Sequence, residues 1–450
     1  MSKSLPTARE AALKALVRVE RDEAYLNLVF PSLAGGLSSR DRALALRIAQ
    51  GTLQHLNTLD WALGLFLKQP LSRFTPWIRN LLRLSAYQLL YAQRIPPHAV
   101  IDEGVRLARR YGHRGVAGLA NAVLRRLSEN RESLPWPDPA RDLTAYLALK
   151  YSHPPWLVRR WLDRYGAAET EALCRANNEV SPLSIRPNRL RVTVEELQER
   201  LEREGAGATP SPIVPGALYL SVNSPPDRLE SYREGLFTIQ GEGSMLVSLL
   251  LEPRPGAQVV DLCSAPGGKT THLAELMEDR GEVAAVDIYP QRLRLVEKAA
   301  ARLGLTCIRT VLGDGRHPAA LPLSPSPYIL VDAPCSGLGV LRRLPELKWR
   351  RRPEDLVAMQ ERQLELLRGA YSLLAPGGRL LYSVCTNEQE ETEAVAQRFG
   401  RAFPDLVLVE ESRLPGVAAG ARPRGGTLEL LPHRDGTDGF FMALWEKKGP

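Results

Sequence analysis

The chain of 450 residues lacks the usual sequence signs of export, membrane insertion or metal binding. Its five cysteines are an odd set without paired short spacings, and no histidines cluster with them, so neither a disulfide framework nor a zinc site is favoured. No apolar run approaches the roughly 20 residues of a membrane-spanning helix, and the amino terminus lacks the apolar core of a signal peptide. We therefore expect a cytoplasmic protein with no metal and no membrane contact.

Positive charge is concentrated in the amino-terminal third of the chain. Residues 1–140 contain 20 Lys plus Arg against 11 Asp plus Glu, while the formal net charge of the whole chain is +8. Clustered cations favour a polyanionic partner, because phosphate neutralisation releases counterions. On charge alone, a solvated helical surface explains the excess equally well.

The hydrophobic pattern divides the chain into four regions. Apolar residues recur at helical spacing over about 7–130, and a stretch with three prolines at 134–139 interrupts that pattern. From residue 258 onwards, apolar runs of strand length alternate with helical stretches, which predicts a parallel sheet with crossover helices. We predict an all-α domain over 1–135, a helical linker over 140–180, a small α+β module over 181–250 with strands at 183–187, 190–192 and 217–220, and an α/β domain over 251–450.

A glycine-rich loop, Ala265-Pro-Gly-Gly-Lys269, follows the first predicted strand of the α/β domain. Its glycines allow a ligand to approach the backbone, and the next helix presents unpaired N–H groups. The loop departs from both Gly-x-Gly-x-x-Gly and Gly-x-x-x-x-Gly-Lys, so a pyrophosphate ligand is disfavoured. Asp287 and Asp314 end the next two strands, where ligands gather in such sheets and a carboxylate can accept ribose hydroxyls.

Two further motifs contain cysteines at the points where strands give way to polar loops. Cys335 lies in Asp332-Ala-Pro-Cys, and Cys385 lies in Ser383-Val-Cys. Together they suggest covalent chemistry on a pyrimidine, since a thiolate added at C6 of cytosine makes C5 able to accept a methyl group. The remaining cysteines are expected to be packing residues: Cys174, Cys263 and Cys307.

Taken together, these motifs resemble the S-adenosylmethionine-dependent methyltransferases and, within them, the Sun-type RNA cytosine-5 methyltransferases, over roughly residues 140–450. The helical third resembles the NusB-type RNA-binding domain of a bacterial subgroup that acts on small-subunit ribosomal RNA. The resemblance implies a Rossmann-like catalytic domain over 251–450, S-adenosyl-L-methionine as cofactor, and 16S ribosomal RNA as substrate. The target would be a single-stranded or flipped cytosine, in naked RNA or in a small-subunit particle, and the protein a monomer.

The resemblance also implies roles for individual residues. It assigns attack on C6 to Cys385, release of the adduct to Cys335, and cytosine recognition or acid catalysis to Asp332, with Lys269 positioning the base or lowering a thiol pKa. The implied cofactor-binding residues are Cys263, Ser264, Ala265, Pro266, Gly267, Gly268, Lys269, Asp287, Arg292, Asp314 and Asp332.

Three more residues carry expectations or a departure from the family. The 181–250 module is expected to bind RNA, and Lys348 is hypothesised to face RNA. Gln240 is expected to contact substrate or the cofactor loop. Gly241 follows it where the family commonly has aspartate.

Two other functions remain open at this point. In a DNA cytosine-5 methyltransferase the Pro-Cys thiol itself attacks, and a second cysteine is not expected. In a non-enzymatic RNA-binding assembly or antitermination factor, the basic helical domain does the work and the α/β domain is inert. An adduct that survives loss of Cys335 but not of Cys385 favours RNA chemistry, whereas a lack of S-adenosylmethionine binding favours the binding factor.

Overall fold

The structure is a computed structural model that describes residues 7–92, 94–222, 224–410, 422–424 and 426–449. The chain forms two compact units: residues up to Glu179 together with Leu341–Arg350, and Val180–Val340 together with Arg351–Pro450. No helix among the described residues is long and apolar enough to cross a membrane.

The first unit is helical throughout its described residues, as the 3.6-residue periodicity predicts. Its helices begin at polar caps, for example Thr7, whose hydroxyl accepts from the Glu10 amide, and Ser38, whose hydroxyl accepts from Asp41. The apolar faces meet in one core that runs from Ala8 to Leu134. The helices are α1 (Ala8–Arg21), α2 (Leu26–Leu33), α3 (Ser39–Gln54), α4 (Leu56–Gly64), α5 (Pro76–Tyr91), α6 (Pro97–Tyr111), α7 (Arg114–Glu129), α8 (Leu143–Lys150) and α9 (Pro155–Ala176).

Leu341–Arg350, which lies within the predicted 251–450 domain, packs in the helical unit. The Trp349 indole donates to the Leu53 carbonyl (2.6 Å), and the Arg350 guanidinium donates to the Ala24 carbonyl (2.7 Å). Lys348 is only 1% exposed, and its Nζ donates to Asn178 Oδ1 at 3.2 Å. The hypothesis that Lys348 faces RNA was therefore wrong, because the segment that carries it is packed inside the unit.

The small module at the start of the second unit is a four-stranded antiparallel sheet in the order β2-β3-β1-β4. Its core includes Ile185, Leu197, Leu201 and Phe237. Its elements are β1 (Ser184–Pro187), α10 (Val194–Arg203), β2 (Gly207–Pro210), β3 (Leu218–Ser221), α11 (Glu230–Arg233) and β4 (Phe237–Ile239).

The strand predicted at 190–192 was wrong, because those residues form a turn. Asn188 closes this turn: its side-chain oxygen accepts from the Leu190 amide, and its carbonyl accepts from the Arg191 amide. A side chain that bonds nearby backbone competes with pairing in a sheet.

A larger mixed sheet forms the rest of the second unit, in the order β11-β12-β13-β9-β8-β5-β6-β7, with β10 paired to β13. The strands and the helices of this part of the chain are α12 (Glu242–Leu251), β5 (Gln258–Asp261), α13 (Gly268–Leu276), β6 (Glu282–Asp287), α14 (Pro290–Leu303), β7 (Ile308–Leu312), β8 (Ser326–Asp332), α16 (Pro353–Leu373), β9 (Leu374–Val384), α17 (Glu393–Ala402), β10 (Leu406–Leu408), β11 (Arg422–Arg424), β12 (Thr427–Leu430), α18 (Pro432–Asp435) and β13 (Phe440–Lys447). Helix α15 (Leu347–Arg350) lies between β8 and α16 in sequence but belongs to the first unit. Single 3-10 turns lie at Leu71–Arg73, Pro226–Arg228, Pro318–Ala320 and Gln389–Glu391.

The strands from β5 to β9 are parallel, and β13 lies antiparallel between β9 and β12. Separate apolar cores cover the two faces of the sheet, one containing α12 and α13 residues and the other α16 and α17 residues. The chain order reverses between β5 and β8, which in open α/β sheets makes a crevice at the carboxyl ends of these strands.

Candidate active site

The glycine-rich loop joins β5 to α13 at this crevice. Gly267 has φ +106° and caps α13, a left-handed conformation that favours glycine. Both the amide and the hydroxyl of Ser264 donate to the Val286 carbonyl at 3.0 Å, which ties the loop to β6. Thr270 donates to Asp261 (2.7 Å), and burial raises the pKa of Asp261 to about 7 although this bond lowers it.

Asp287 and Arg292 lie at the end of β6, beside the loop. Asp287 Oδ1 accepts from the Tyr289 amide at 2.9 Å, and Arg292 lies 3.5 Å from Asp287 Oδ2. Arg292 also donates to the Ala265 carbonyl at 2.9 Å, so it joins the loop to the β6 carboxylate. Ile288 and Tyr289 are about half exposed at the same strand end and offer an apolar surface next to the carboxylate.

Asp314, after β7, forms an ion pair with Arg316 at 2.7 Å. Hydrogen bonds from Arg316 lower the pKa of Asp314. The structure thus places Asp314 at the same edge as the other predicted carboxylates, but already engaged by a neighbouring cation that the sequence reasoning did not consider.

Asp332 and Lys269 form the polar centre of the site. Lys269 Nζ donates to Asp332 Oδ2 at 2.6 Å, and the Ser383 hydroxyl donates to Asp332 Oδ1 at 2.7 Å. Burial lowers the pKa of Lys269, but Asp332 and, further down, Cys385 outweigh this, so the net pKa is raised. Lys269 therefore stays protonated beside Asp332.

The two cysteines predicted to act together are adjacent. Cys335 Sγ and Cys385 Sγ lie 3.4 Å apart, although 50 residues separate them in sequence. The hydrogen bond with Cys385, followed by burial, raises the pKa of the Cys335 thiol well above its usual value. Cys335 therefore keeps its proton, and either sulfur can be the donor in this contact.

Side chains that the sequence analysis missed hold the loop after Cys335. The buried carboxylate of Glu391 accepts from the Ser336 amide (2.8 Å) and from Gln363 (3.0 Å), which also donates to the Pro334 carbonyl. Arg351 donates to the Ser336 carbonyl at 2.7 Å. Acidic residues directly after a Thr-Asn turn carry no motif that distinguishes this role, so no local signal identifies Glu391.

Arg186 of the small module was also missed, and it braces the cofactor loop. Its guanidinium contacts both oxygens of Glu275 (2.7 and 3.1 Å), the Thr271 hydroxyl (3.2 Å) and the Gly268 carbonyl (3.0 Å). It also donates to Gln240, so the contact of Gln240 with this loop runs through Arg186. Arg186 and Glu275 are both at least 95% buried, a setting in which a charge needs its partner.

Comparisons with known proteins agree with this arrangement. The model of the 16S rRNA methyltransferase RsmB/F family matches residues 248–446, the NusB family model matches 6–129, and a model of the RsmF/B-like ferredoxin-like domain matches 153–225. The "Probable ribosomal RNA small subunit methyltransferase B" of Bacillus subtilis is 38% identical over 98% of this chain and 99% of its own length. This chain belongs to the RsmB family of ribosomal RNA small subunit methyltransferases.

Another curated relative and a solved structure match equally far along the chain. The "Ribosomal RNA small subunit methyltransferase B" of Salmonella dublin is 34% identical over 98% of each chain. The crystal structure of PH0851 superposes with a TM-score of 0.82 at 29% identity and covers 97% of this chain and 98% of that one. As in the RsmB family models, the chain thus combines a NusB-type helical domain, a ferredoxin-like module and a Rossmann-like methyltransferase domain.

Proposed function

We propose that this RsmB-family enzyme methylates C5 of a cytosine in 16S ribosomal RNA through a covalent bond between Cys385 and C6 of the base. The observation that carries the proposal is the 3.4 Å contact between the Cys335 and Cys385 sulfurs beside the Lys269–Asp332 ion pair. A nucleophile, a proton-bearing neighbour and a fixed charge pair are the groups that reversible thiol addition to a pyrimidine needs.

The residues at the carboxyl edge of the sheet fit S-adenosylmethionine as the cofactor. Carboxylates at the ends of these strands can accept hydrogen bonds from ribose hydroxyls, and Asp287 lies beside the loop with its Oδ2 3.5 Å from Arg292. We expect Asp287 to hold the ribose, Ile288 to contact the adenine, and the 263–269 loop to hold the remainder. S-adenosylmethionine supplies the methyl group when bound.

The reaction begins at Cys385. Its thiolate adds to C6, the C5–C6 double bond opens, and the electron pair becomes available at C5 for the methyl group. Lys269 holds Asp332 in place through their ion pair, and Asp332 accepts a hydrogen bond from the cytosine amino group, which selects cytosine.

Release reverses the addition. After C5 has gained the methyl group, the C5 proton passes to water, its bonding pair restores the C5–C6 double bond, and the pair of the C6–S bond leaves with the Cys385 sulfur. The S–H of Cys335 donates to the departing sulfur and stabilises it as a thiolate, which is why a retained proton on Cys335 suits the second half of the cycle.

The base must leave its stack to reach Cys385, so the target cytosine is single-stranded or flipped from a helix. We expect the NusB-type domain and the ferredoxin-like module to bind the surrounding RNA, and the enzyme to act as a cytoplasmic monomer on naked RNA or on a small-subunit particle.

The test is transfer of a labelled methyl group from S-adenosylmethionine into unmodified small-subunit RNA, with Cys385→Ala and Cys335→Ala as paired variants. We expect 5-methylcytosine from the wild type, no product and no adduct from Cys385→Ala, and an accumulated protein–RNA adduct from Cys335→Ala. An adduct that requires Cys335 instead would reverse the two assignments. Transfer into DNA but not RNA, or no binding of S-adenosylmethionine, would refute the proposal.

A further inference from the structure

A cleft of about 600 Å³ lies between the ferredoxin-like module and helices α12 and α13, apart from the residues assigned to the reaction. The turn after β1 and the loop between β2 and β3 form one side, and His272 and Glu275 of α13 lie on the other. The volume falls in the range of sites that hold one small molecule or one nucleotide.

The cleft is lined by more positively charged side chains than negatively charged ones. Arg186 is paired with Glu275 at the base of the cleft, and the Glu196 carboxylate is occupied by the Thr193 amide and hydroxyl. Arg189 is exposed and makes no hydrogen bond or ion pair within the described part of the chain. Arg191 uses one nitrogen to donate to the Glu234 carbonyl at 2.7 Å. The remaining positive charge attracts an anion.

A second observation points to a ligand. His272 lines the cleft and is only 5% exposed, yet its Nδ1 has no hydrogen-bond partner among the described residues. A buried polar atom without a partner calls for an explanation, and its place in the wall of the cleft makes His272 a candidate contact for a ligand. Burial, followed by the charges of Arg186 and Arg189, lowers the pKa of His272 well below its usual range, so the ring is neutral and suited to a hydrogen bond with a base.

The cleft also presents an apolar surface, to which both of its sides contribute. Leu190, Val214, Met245 and Leu249 line it, and Leu190 is 41% exposed. A flat ring covers such a surface, whereas a free phosphate or sulfate does not use it. A ligand that matches the whole cleft therefore combines an aromatic ring with an anionic group, and the RNA substrate offers this combination in each nucleotide.

We propose that this cleft binds one nucleotide of the RNA strand outside the catalytic centre, with its phosphate against Arg189 and Arg191 and its base against the apolar surface and His272. This inference rests on the proposed function in that the substrate is RNA. The base of the cleft is the Arg186–Glu275 pair that also holds the Gly268 carbonyl, so the bound strand lies against the helix that begins at the cofactor loop.

The test compares Arg189→Glu with Arg203→Glu, an equal change of charge on the exposed face of α10 in the same module. The probe is a fluorescently labelled single-stranded RNA oligonucleotide titrated over a range of salt concentrations. We expect Arg189→Glu to weaken binding about tenfold and to lower the slope of log affinity against log salt by about 0.7, the value for one phosphate on a single strand. Arg203→Glu should leave both unchanged.

A position-specific readout completes the test. Oligonucleotides that carry 4-thiouridine should cross-link on irradiation to peptides of the cleft in the wild type, and this product should diminish in Arg189→Glu. Equal affinities and slopes for wild type and Arg189→Glu, or cross-links elsewhere only, would overturn the inference. If the wild type fails to methylate RNA but RNA binding still depends on Arg189, the proposed function is refuted and the nucleotide site in the cleft is supported. If the wild type methylates RNA but RNA binding does not depend on Arg189, the proposed function is supported and the nucleotide site is refuted.

Discussion

The buried ammonium of Lys348 makes the stability of the helical unit dependent on pH, and Lys348→Met should remove this dependence. Lys348 has one hydrogen bond, to Asn178, and no carboxylate contacts it among the described residues. Burial lowers the pKa of Lys348 from its ordinary value of 10.5 to about 7. His55, His153 and Cys174 face it and add no negative charge when neutral.

The sign and size of the effect follow from linkage. The unfolded chain binds the Lys348 proton up to pH 10.5 and the folded chain only up to about 7, so stability rises as pH increases between these values. The full penalty is about 5 kcal/mol below pH 7, and its change between about pH 7.5 and about pH 9.5 is about 2.5 kcal/mol.

The assay is urea unfolding of the full chain at several pH values, followed by tryptophan fluorescence. Six of the seven tryptophans lie in the helical unit, with only Trp445 outside it, so the signal reports on the unit that contains Lys348. We expect the stability advantage of Lys348→Met over the wild type to shrink by about 2.5 kcal/mol across that pH interval. The histidines and Cys174 titrate in both proteins, so their contributions largely cancel in the difference.

The control is Lys68→Met, which removes an exposed lysine of the same unit and should show the same pH dependence as the wild type. A difference between Lys348→Met and wild type that is constant from about pH 7.5 to about pH 9.5 would refute the reasoning, because it would mean that Lys348 keeps its proton in the folded state throughout.

Three further predictions concern the site. Arg186→Met should lower the free energy of unfolding in urea by about 3–5 kcal/mol, because it leaves Glu275 buried without a partner. Adding Glu275→Gln to this variant should recover most of that stability. The double variant should still bind S-adenosylmethionine several-fold more weakly by calorimetry, because the Gly268 carbonyl has lost its donor. Asp287→Asn should lower the affinity for S-adenosylmethionine about tenfold in the same calorimetric assay. An unchanged affinity would contradict the assignment of Asp287 to the cofactor site. Glu391→Gln should lower kcat about tenfold with little effect on KM for S-adenosylmethionine, since Glu391 positions the loop of Cys335; equal changes in both would contradict that role.

Much of the fold follows from local pattern. After residue 258, the expected helical stretches include α14 (Pro290–Leu303), and the strand-length apolar runs correspond to β5, β6, β8 and β9. These predictions succeed because side-chain periodicity reflects which face of an element is buried. The failure at 190–192 has an equally local cause, since the Asn188 turn outweighs the β-propensity of Leu190 and Val192.

The sequence by itself determined which reactive groups are present and at which strand ends they occur: the two cysteine motifs, the glycine-rich loop and the carboxylates. Only the tertiary structure decided that the sulfurs of Cys335 and Cys385 lie 3.4 Å apart, that Glu391 holds the loop after Cys335, and that Lys348 is buried rather than exposed. The physical reason is the distance along the chain over which each interaction acts. Periodicity and capping act over one or two turns, whereas these contacts join residues tens to hundreds of positions apart and form only when the sheet and the helical core close around them.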